Sequence, residues 1–89
     1  FGFVIYSWYL EDAIYIEELY IRPESRLEGF GTLMVDEVCD IARKAGKKYL
    51  VGSVCPAANG STVSMKALLA YKMQLWRIDG DLIFLSKEL

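Results

Sequence analysis

Ile14-Tyr15-Ile16-Glu17-Glu18-Leu19-Tyr20-Ile21, followed by Arg22-Pro23-Glu24-Ser25-Arg26-Leu27-Glu28-Gly29-Phe30-Gly31, is the stretch on which the fold turns. Its first eight residues have a strand composition, and Pro23 ends the strand because it lacks the N–H that a ladder needs. Arg26 to Gly31 spell R-x-x-G-x-G. After the glycines, Leu33/Met34, Val38, Ile41/Ala42 and Ala45 recur at helical spacing, while Asp36, Glu37, Asp40, Arg43 and Lys44 fall mostly on the other side. Arg43 and Lys44 suit the last turn of that helix, and Gly46 stands where a left-handed cap is expected. Strand, glycine loop and helix together suit an anion such as a phosphate. The glycines let a ligand approach the backbone, and the helix start offers N–H groups with no partner inside the helix, at the positive end of the dipole.

Working outward, Phe1 to Leu10 is dense in aromatic and β-branched residues on both alternating sets, which predicts a strand covered on both faces. Glu11-Asp12 interrupts the pattern before Ala13 to Ile21 resumes it, so the two strands form an antiparallel hairpin. Lys47 to Val54 reads as a third strand, and strand, helix and strand of this length imply a parallel right-handed crossover and a mixed sheet. Pro56-Ala57-Ala58-Asn59-Gly60 is a loop. Ser61, Thr62 or Ser64 caps a second helix over Val63 to Leu75, with most of its circumference buried. Trp76-Arg77-Ile78 and Asp81 to Leu85 are two short strands about the Asp79-Gly80 turn.

The chain has 89 residues, 54% of them hydrophobic, enough for one domain with its own core. Ten basic and twelve acidic side chains give a net charge of −2 with no basic run, which argues against nucleic acid as a partner. Cys39 and Cys55 lack CxxC spacing, and there is no His to complete a metal set, so two reduced, buried thiols are expected and no metal site. No apolar run approaches the roughly 18 residues that span a bilayer, and Phe1 to Leu10 lacks the flanks of a signal peptide, so a cytoplasmic protein is expected. The start at Phe1, directly in strand-like sequence, suggests that a natural N-terminal part precedes it.

Two features carry chemistry. The glycine pattern is neither the dinucleotide fingerprint, because Met34 takes the third glycine position, nor a Walker loop, because no Gly-Lys-Ser/Thr is present. A plain structural turn is the alternative to a phosphate cradle. Glu17 and Glu18, being adjacent, project from opposite faces unless a bulge re-aims one of them. Either one carboxylate is solvated at a sheet edge, or at least one is a general base at the sheet's opening.

Ile16 to Gly31, with its strand, proline and R-x-x-G-x-G loop, resembles the acetyl-CoA-binding motif of the GCN5-related N-acetyltransferase superfamily. Ala67, Tyr71 and Trp76 fall where that superfamily shows Ala, Tyr and an aromatic, and Asp81 to Leu89 resembles its final strand. Three positions differ. Glu28 stands at a loop position commonly basic or neutral, Ser64 replaces the usual Asn, and the strand and helices that build the amine site are not represented within residues 1–89.

The resemblance implies an α/β (α+β) fold, a mixed, mostly antiparallel sheet with helices on its faces, of the acyl-CoA N-acyltransferase type. Residues 1–89 would be a single, N-terminally truncated domain, the cofactor-binding half. It implies transfer of acetyl from acetyl-CoA to a primary amine by direct attack. The backbone of Leu19, Tyr20 and Ile21 would pair with the pantetheine arm. The N–H groups of Arg26, Leu27, Glu28, Gly29, Phe30, Gly31 and Thr32 would hold the pyrophosphate, with charge from Arg26. Glu17, or failing it Glu18, would accept the amine proton, and Tyr71 would protonate the leaving thiolate unless it is only a core aromatic. Two other readings stand beside the enzyme. One is a non-catalytic module of the same fold. The other is an assembly protein, such as a homodimer, whose apolar Phe1 to Leu10 edge is completed by another chain.

Overall fold

The computed structural model describes residues 2–22, 24, 29–58 and 61–89. Its elements run β1 (Gly2–Tyr9), β2 (Ala13–Ile21), α1 (Phe30–Lys44), β3 (Tyr49–Val54), α2 (Ser61–Ala70), β4 (Gln74–Asp79) and β5 (Leu82–Glu88). The strands form one sheet in the order β1-β2-β3-β5-β4. Only β2 and β3 run parallel; the other three neighbouring pairs are antiparallel, as the mixed-sheet expectation required.

Local chemistry explains where the elements stop. Gly46 has φ +79, and a Cβ there would meet nothing within 4 Å, so the backbone angle, not space, calls for glycine. Around it the Gly46 N–H bonds the Arg43 carbonyl at 3.0 Å and the Lys47 N–H bonds the Ala42 carbonyl at 2.9 Å, the double closure of a Schellman motif. Gly80 (φ +57) turns the β4–β5 hairpin, with Gly80-Asp81 as its loop between the paired Asp79 and Leu82.

The second helix ends five residues before the predicted Leu75. Lys72 takes the left-handed conformation (φ 72), its N–H bonding the Leu69 carbonyl at 3.0 Å and the Met73 N–H bonding Leu68 at 3.1 Å. This is the same closure as at Gly46 but built on a lysine, so no Gly or Pro marked it. Stopping there buries Met73 beside Leu68 over Gly52 and releases residues 74–79 to pair as β4. The start at Ser61 puts Thr62 and Ser64 inside the helix and not at its cap. The burial expected for this helix is not observed: Met65 and Leu68 are half-buried, while Leu69 is exposed.

Both helices pack on one face of the sheet. The core there is Ile14, Leu50, Val54 and Leu85 from the strands, Val35, Val38, Cys39 and Ala42 from α1, and Met73, with Leu68, Tyr71 and Ile16 at its border. Each fully buried Leu or Ile contributes about 1.5–3 kcal/mol of transfer free energy. The opposite face holds a smaller cluster, Ala13, Val51 and Phe84 with Tyr9 and Tyr15. Arg77 covers part of it, its guanidinium 4.9 Å from the Phe84 ring centroid and 3.0 Å from the Tyr9 hydroxyl, to which it donates.

Two further expectations are corrected. β1 is an edge strand with Phe3 45% and Trp8 53% exposed, so it is not covered on both faces. Cys39 is buried, but Cys55, just past β3, is only half-buried; both are free thiols. Among the described residues no helix is long and apolar enough to cross a membrane, and no cluster of His, Cys, Asp and Glu could hold a metal.

Three substitutions test this account by urea unfolding. Lys72→Gly relieves the left-handed strain and should stabilise the chain by about 0.5–1 kcal/mol, whereas a loss of stability would refute the assigned helix end. Leu50→Ala, at a fully buried site, should cost about 2–5 kcal/mol, against a change within about 1 kcal/mol for Ile78→Ala on the exposed edge strand.

Candidate functional site

The site grows out of a break in the sheet. The parallel ladder of β2 and β3 consists of three pairs, Ala13 with Tyr49, Ile14 with Leu50 and Tyr15 with Val51. Beyond Tyr15, β2 continues for six residues alongside β1, while Gly52 to Val54 of β3 pair with Leu85 to Ile83 of β5. The two strands therefore part beyond Tyr15 and Val51, opening a gap between them. On the bare face, a hydrogen bond between the Tyr15 and Ser53 hydroxyls crosses from β2 to β3 at the base of this gap.

Just past the parting, the β1–β2 register shifts: Ile5 pairs with Glu18 but Tyr6 pairs with Ile16. Glu17 is thus the extra residue of a β-bulge, two residues opposing one. Partners in a ladder share a face, so Glu18 joins Ile5 on the bare face, the one that carries Ser7 and Tyr15. Without the bulge, Glu18 would fall with Ile14 and Ile16 under the helices. Both carboxylate residues are exposed. Leu19 and Tyr20 follow opposite Val4 and Phe3, with the Tyr20 and Phe3 rings stacked at 5.5 Å, and Ile21 ends the strand opposite Gly2.

At the far side of the gap, Gly29 caps α1 in the left-handed conformation (φ 81, ψ 7), with its carbonyl accepting from Leu33 N–H at 3.1 Å. The predicted loop therefore ends earlier than expected: Phe30, Gly31 and Thr32 are the first turn of α1. The helix start is the positive end of the dipole, and no acidic side chain lies in this turn to compete for an anion. Arg26, Leu27 and Glu28 lie outside the described residues.

Tyr71 sits at the cap position of α2, on the helix-covered face. Its hydroxyl donates to the Asp36 carboxylate and lies 3.7 Å from Cys39 Sγ. Burial first, then the hydrogen bonds to Asp36 and Cys39, push this hydroxyl well above the ordinary tyrosine value. Lys87 Nζ lies 4.3 Å from the ring centroid and donates to the Tyr71 carbonyl at 3.2 Å. Sequence reasoning missed Asp36 by placing it on the polar side of α1. The available signal was the spacing of Asp36 and Cys39, three residues apart and so on one helical stripe. Ser53 and Lys87 carried no signal of their own.

Glu18 and Tyr71 thus belong to opposite faces of the sheet, and the structure does not bring them into contact. The parting of β2 and β3 is the feature that connects the two faces. A ligand lying in the gap would be accessible to both.

Comparison with known proteins agrees with this geometry. Residues 1–66 match the family model described as Acetyltransferase (GNAT) family. No curated protein matches. Among solved structures, a GNAT-family protein from Desulfovibrio desulfuricans is similar at TM-score 0.87 with 16% identity, over 98% of this chain and 60% of that one. The PaiA N-acetyltransferase of Thermoplasma acidophilum, solved in complex with coenzyme A, is similar at TM-score 0.86 with 18% identity, over 99% of this chain and 53% of that one. A GNAT family acetyltransferase from Elizabethkingia anophelis with acetyl-CoA bound gives TM-score 0.80 with 16% identity, over 99% of this chain and 68% of that one. The chain thus spans 60% and 53% of the length of the first two. These structures share its fold along nearly its whole length, and the sequence match covers residues 1–66, so the chain belongs to the acetyltransferase (GNAT) family.

Proposed function

We propose that the chain binds acetyl-CoA in the gap between β2 and β3 and serves transfer of its acetyl group to a primary amine by direct attack. The observation that carries this reading is the three-pair ladder, past which β2 and β3 cease to be register partners directly beside the bulge at Glu17. Residues 1–89 act in this reading as one cofactor-binding unit. A cytoplasmic setting fits it.

The residues present suit such a ligand. Backbone groups of Leu19, Tyr20 and Ile21, on the stretch of β2 past its ladder with β3, would pair with the pantetheine amides. Gly29, Phe30, Gly31 and Thr32 would turn N–H groups toward the pyrophosphate, together with the Arg26, Leu27 and Glu28 segment and the charge of Arg26. When bound, acetyl-CoA supplies a thioester carbonyl open to attack by an amine. Glu17 or Glu18 would accept the proton that the attacking nitrogen loses, directly or through water, and their exposure lets that proton pass on to solvent. Tyr71, on the other face, would give a proton to the departing thiolate.

A second reading is favoured by one observation. β1 lies at the sheet edge and presents Phe3, Ile5 and Trp8 to solvent, as expected of a non-catalytic interaction module or homodimer completed by another strand.

Calorimetric titration should give saturable binding of acetyl-CoA, and no heat at millimolar ligand would remove the cofactor reading. Gly29→Ala, strained by its positive φ although nothing crowds it, should weaken that binding by about 5–30-fold. One of Glu17→Gln and Glu18→Gln should lower kcat by about 100-fold or more with acetyl-CoA affinity almost unchanged; wild-type rates in both would reject the general base. A clean monomer by solution mass measurement would exclude strand completion between copies.

A further inference from the structure

Three side chains from two elements converge on the Tyr71 hydroxyl and ring. Asp36 and Cys39 reach it from α1, and Lys87 from β5; among the described residues these are the titratable groups that face it. Asp36 is itself exposed, so its carboxylate joins the phenol to solvent. A phenol has a single proton. While Tyr71 donates it to Asp36, the same proton cannot be given to a sulfur in the gap. An ionised carboxylate is also a far better acceptor than a neutral thioester, because charge-assisted bonds are roughly twice as strong as neutral ones.

We propose, on the basis of the acetyl-transfer reading above, that Asp36 is a positioning residue that holds the Tyr71 hydroxyl against α1 and releases its proton only when charge develops on the leaving sulfur. In that step the carbon–sulfur bond breaks with its electron pair on sulfur, the Tyr71 O–H bond breaks and an S–H bond forms. The tyrosinate left behind faces the Asp36 carboxylate, which repels it, and the Lys87 ammonium, which attracts it. Asp36 therefore drives the phenolate to take a proton back from water, and Lys87 keeps the charged intermediate state accessible. Tyr71 is held as a weak acid at rest and restored as one after each turnover.

The test uses Asp36→Asn, which keeps the side-chain shape and removes the charge, with Asp36→Ala and Tyr71→Phe. Ultraviolet titration of the six tyrosines should show one that resists ionisation in the wild type, ionises at lower pH in Asp36→Asn, and is missing from Tyr71→Phe. In turnover, Asp36→Asn should move the alkaline limb of kcat to lower pH without changing the KM for acetyl-CoA. Asp36→Ala should add no loss to that of Tyr71→Phe. An Asp36→Asn titration that superposes on the wild type, or additive losses in Asp36→Ala/Tyr71→Phe, overturns the proposal. If the wild type binds no acetyl-CoA, the transfer reading falls and the catalytic role of Asp36 with it, while the titration still decides whether Asp36 holds Tyr71.

Discussion

The rest of the structure depends on how β2 and β3 meet: they pair for three residues and then part. A parallel ladder that ran the full length of both strands would be an ordinary sheet with nowhere for a ligand to lie. The short ladder is held by two side chains at its centre, Ile14 and its register partner Leu50, both fully buried. Val38 and Ala42 of α1 belong to the same core, so the helix that starts at the open end of the gap is anchored at its closed end. The force that ties the strands together and the geometry that lets them separate therefore come from successive residues of the same two strands.

The bulge is the second half of that design. An unbulged β2 would put Glu18 on the apolar, helix-covered face, where an unpaired carboxylate carries a heavy desolvation cost. One extra residue in the strand resolves the conflict and places Glu18 with Tyr15 on the bare side. The bulge thus has a folding reason as well as a chemical one. The sheet tolerates it because only β1 lies on that flank.

Much of this was legible from the residues because it rests on strong local signals. The hairpin, the parallel crossover and the end of α1 follow from the Glu11-Asp12 break, the helical spacing of Val38 and Ala42, and Gly46. The possibility of a bulge was legible from two adjacent glutamates, but its position was not, since register is fixed by cross-strand partners distant in sequence. The end of α2 was hidden because Lys72 adopts a conformation that usually announces itself as glycine, and what stabilises it there is Met73 meeting Gly52 and Leu68. The bond from Tyr71 to Asp36 was equally hidden, being a contact between two helix faces whose relative placement no local pattern encodes. Burial was overestimated for β1 and α2 because apolar composition reports what a residue tolerates and not which neighbours arrive to cover it.

The closed end of the gap is tied more tightly than its core residues alone require. The Asp12 carbonyl accepts from both Lys48 N–H at 2.7 Å and Tyr49 N–H at 3.1 Å, Lys47 Nζ bonds the Glu11 carbonyl at 2.8 Å, and Leu89 N–H bonds the Lys48 carbonyl at 2.8 Å. The β1–β2 turn, the start of β3 and the end of β5 are thereby stapled into one knot. Strand separation at the other end then has a fixed fulcrum. The pivot lies at Tyr15 and Val51, the last pair of the ladder, and everything on the knot's side of it belongs to the packed half of the molecule. Amide exchange along the outer half of β2 then reads its pairing with β1, while exchange at Lys48, Tyr49 and Leu89 reads the knot.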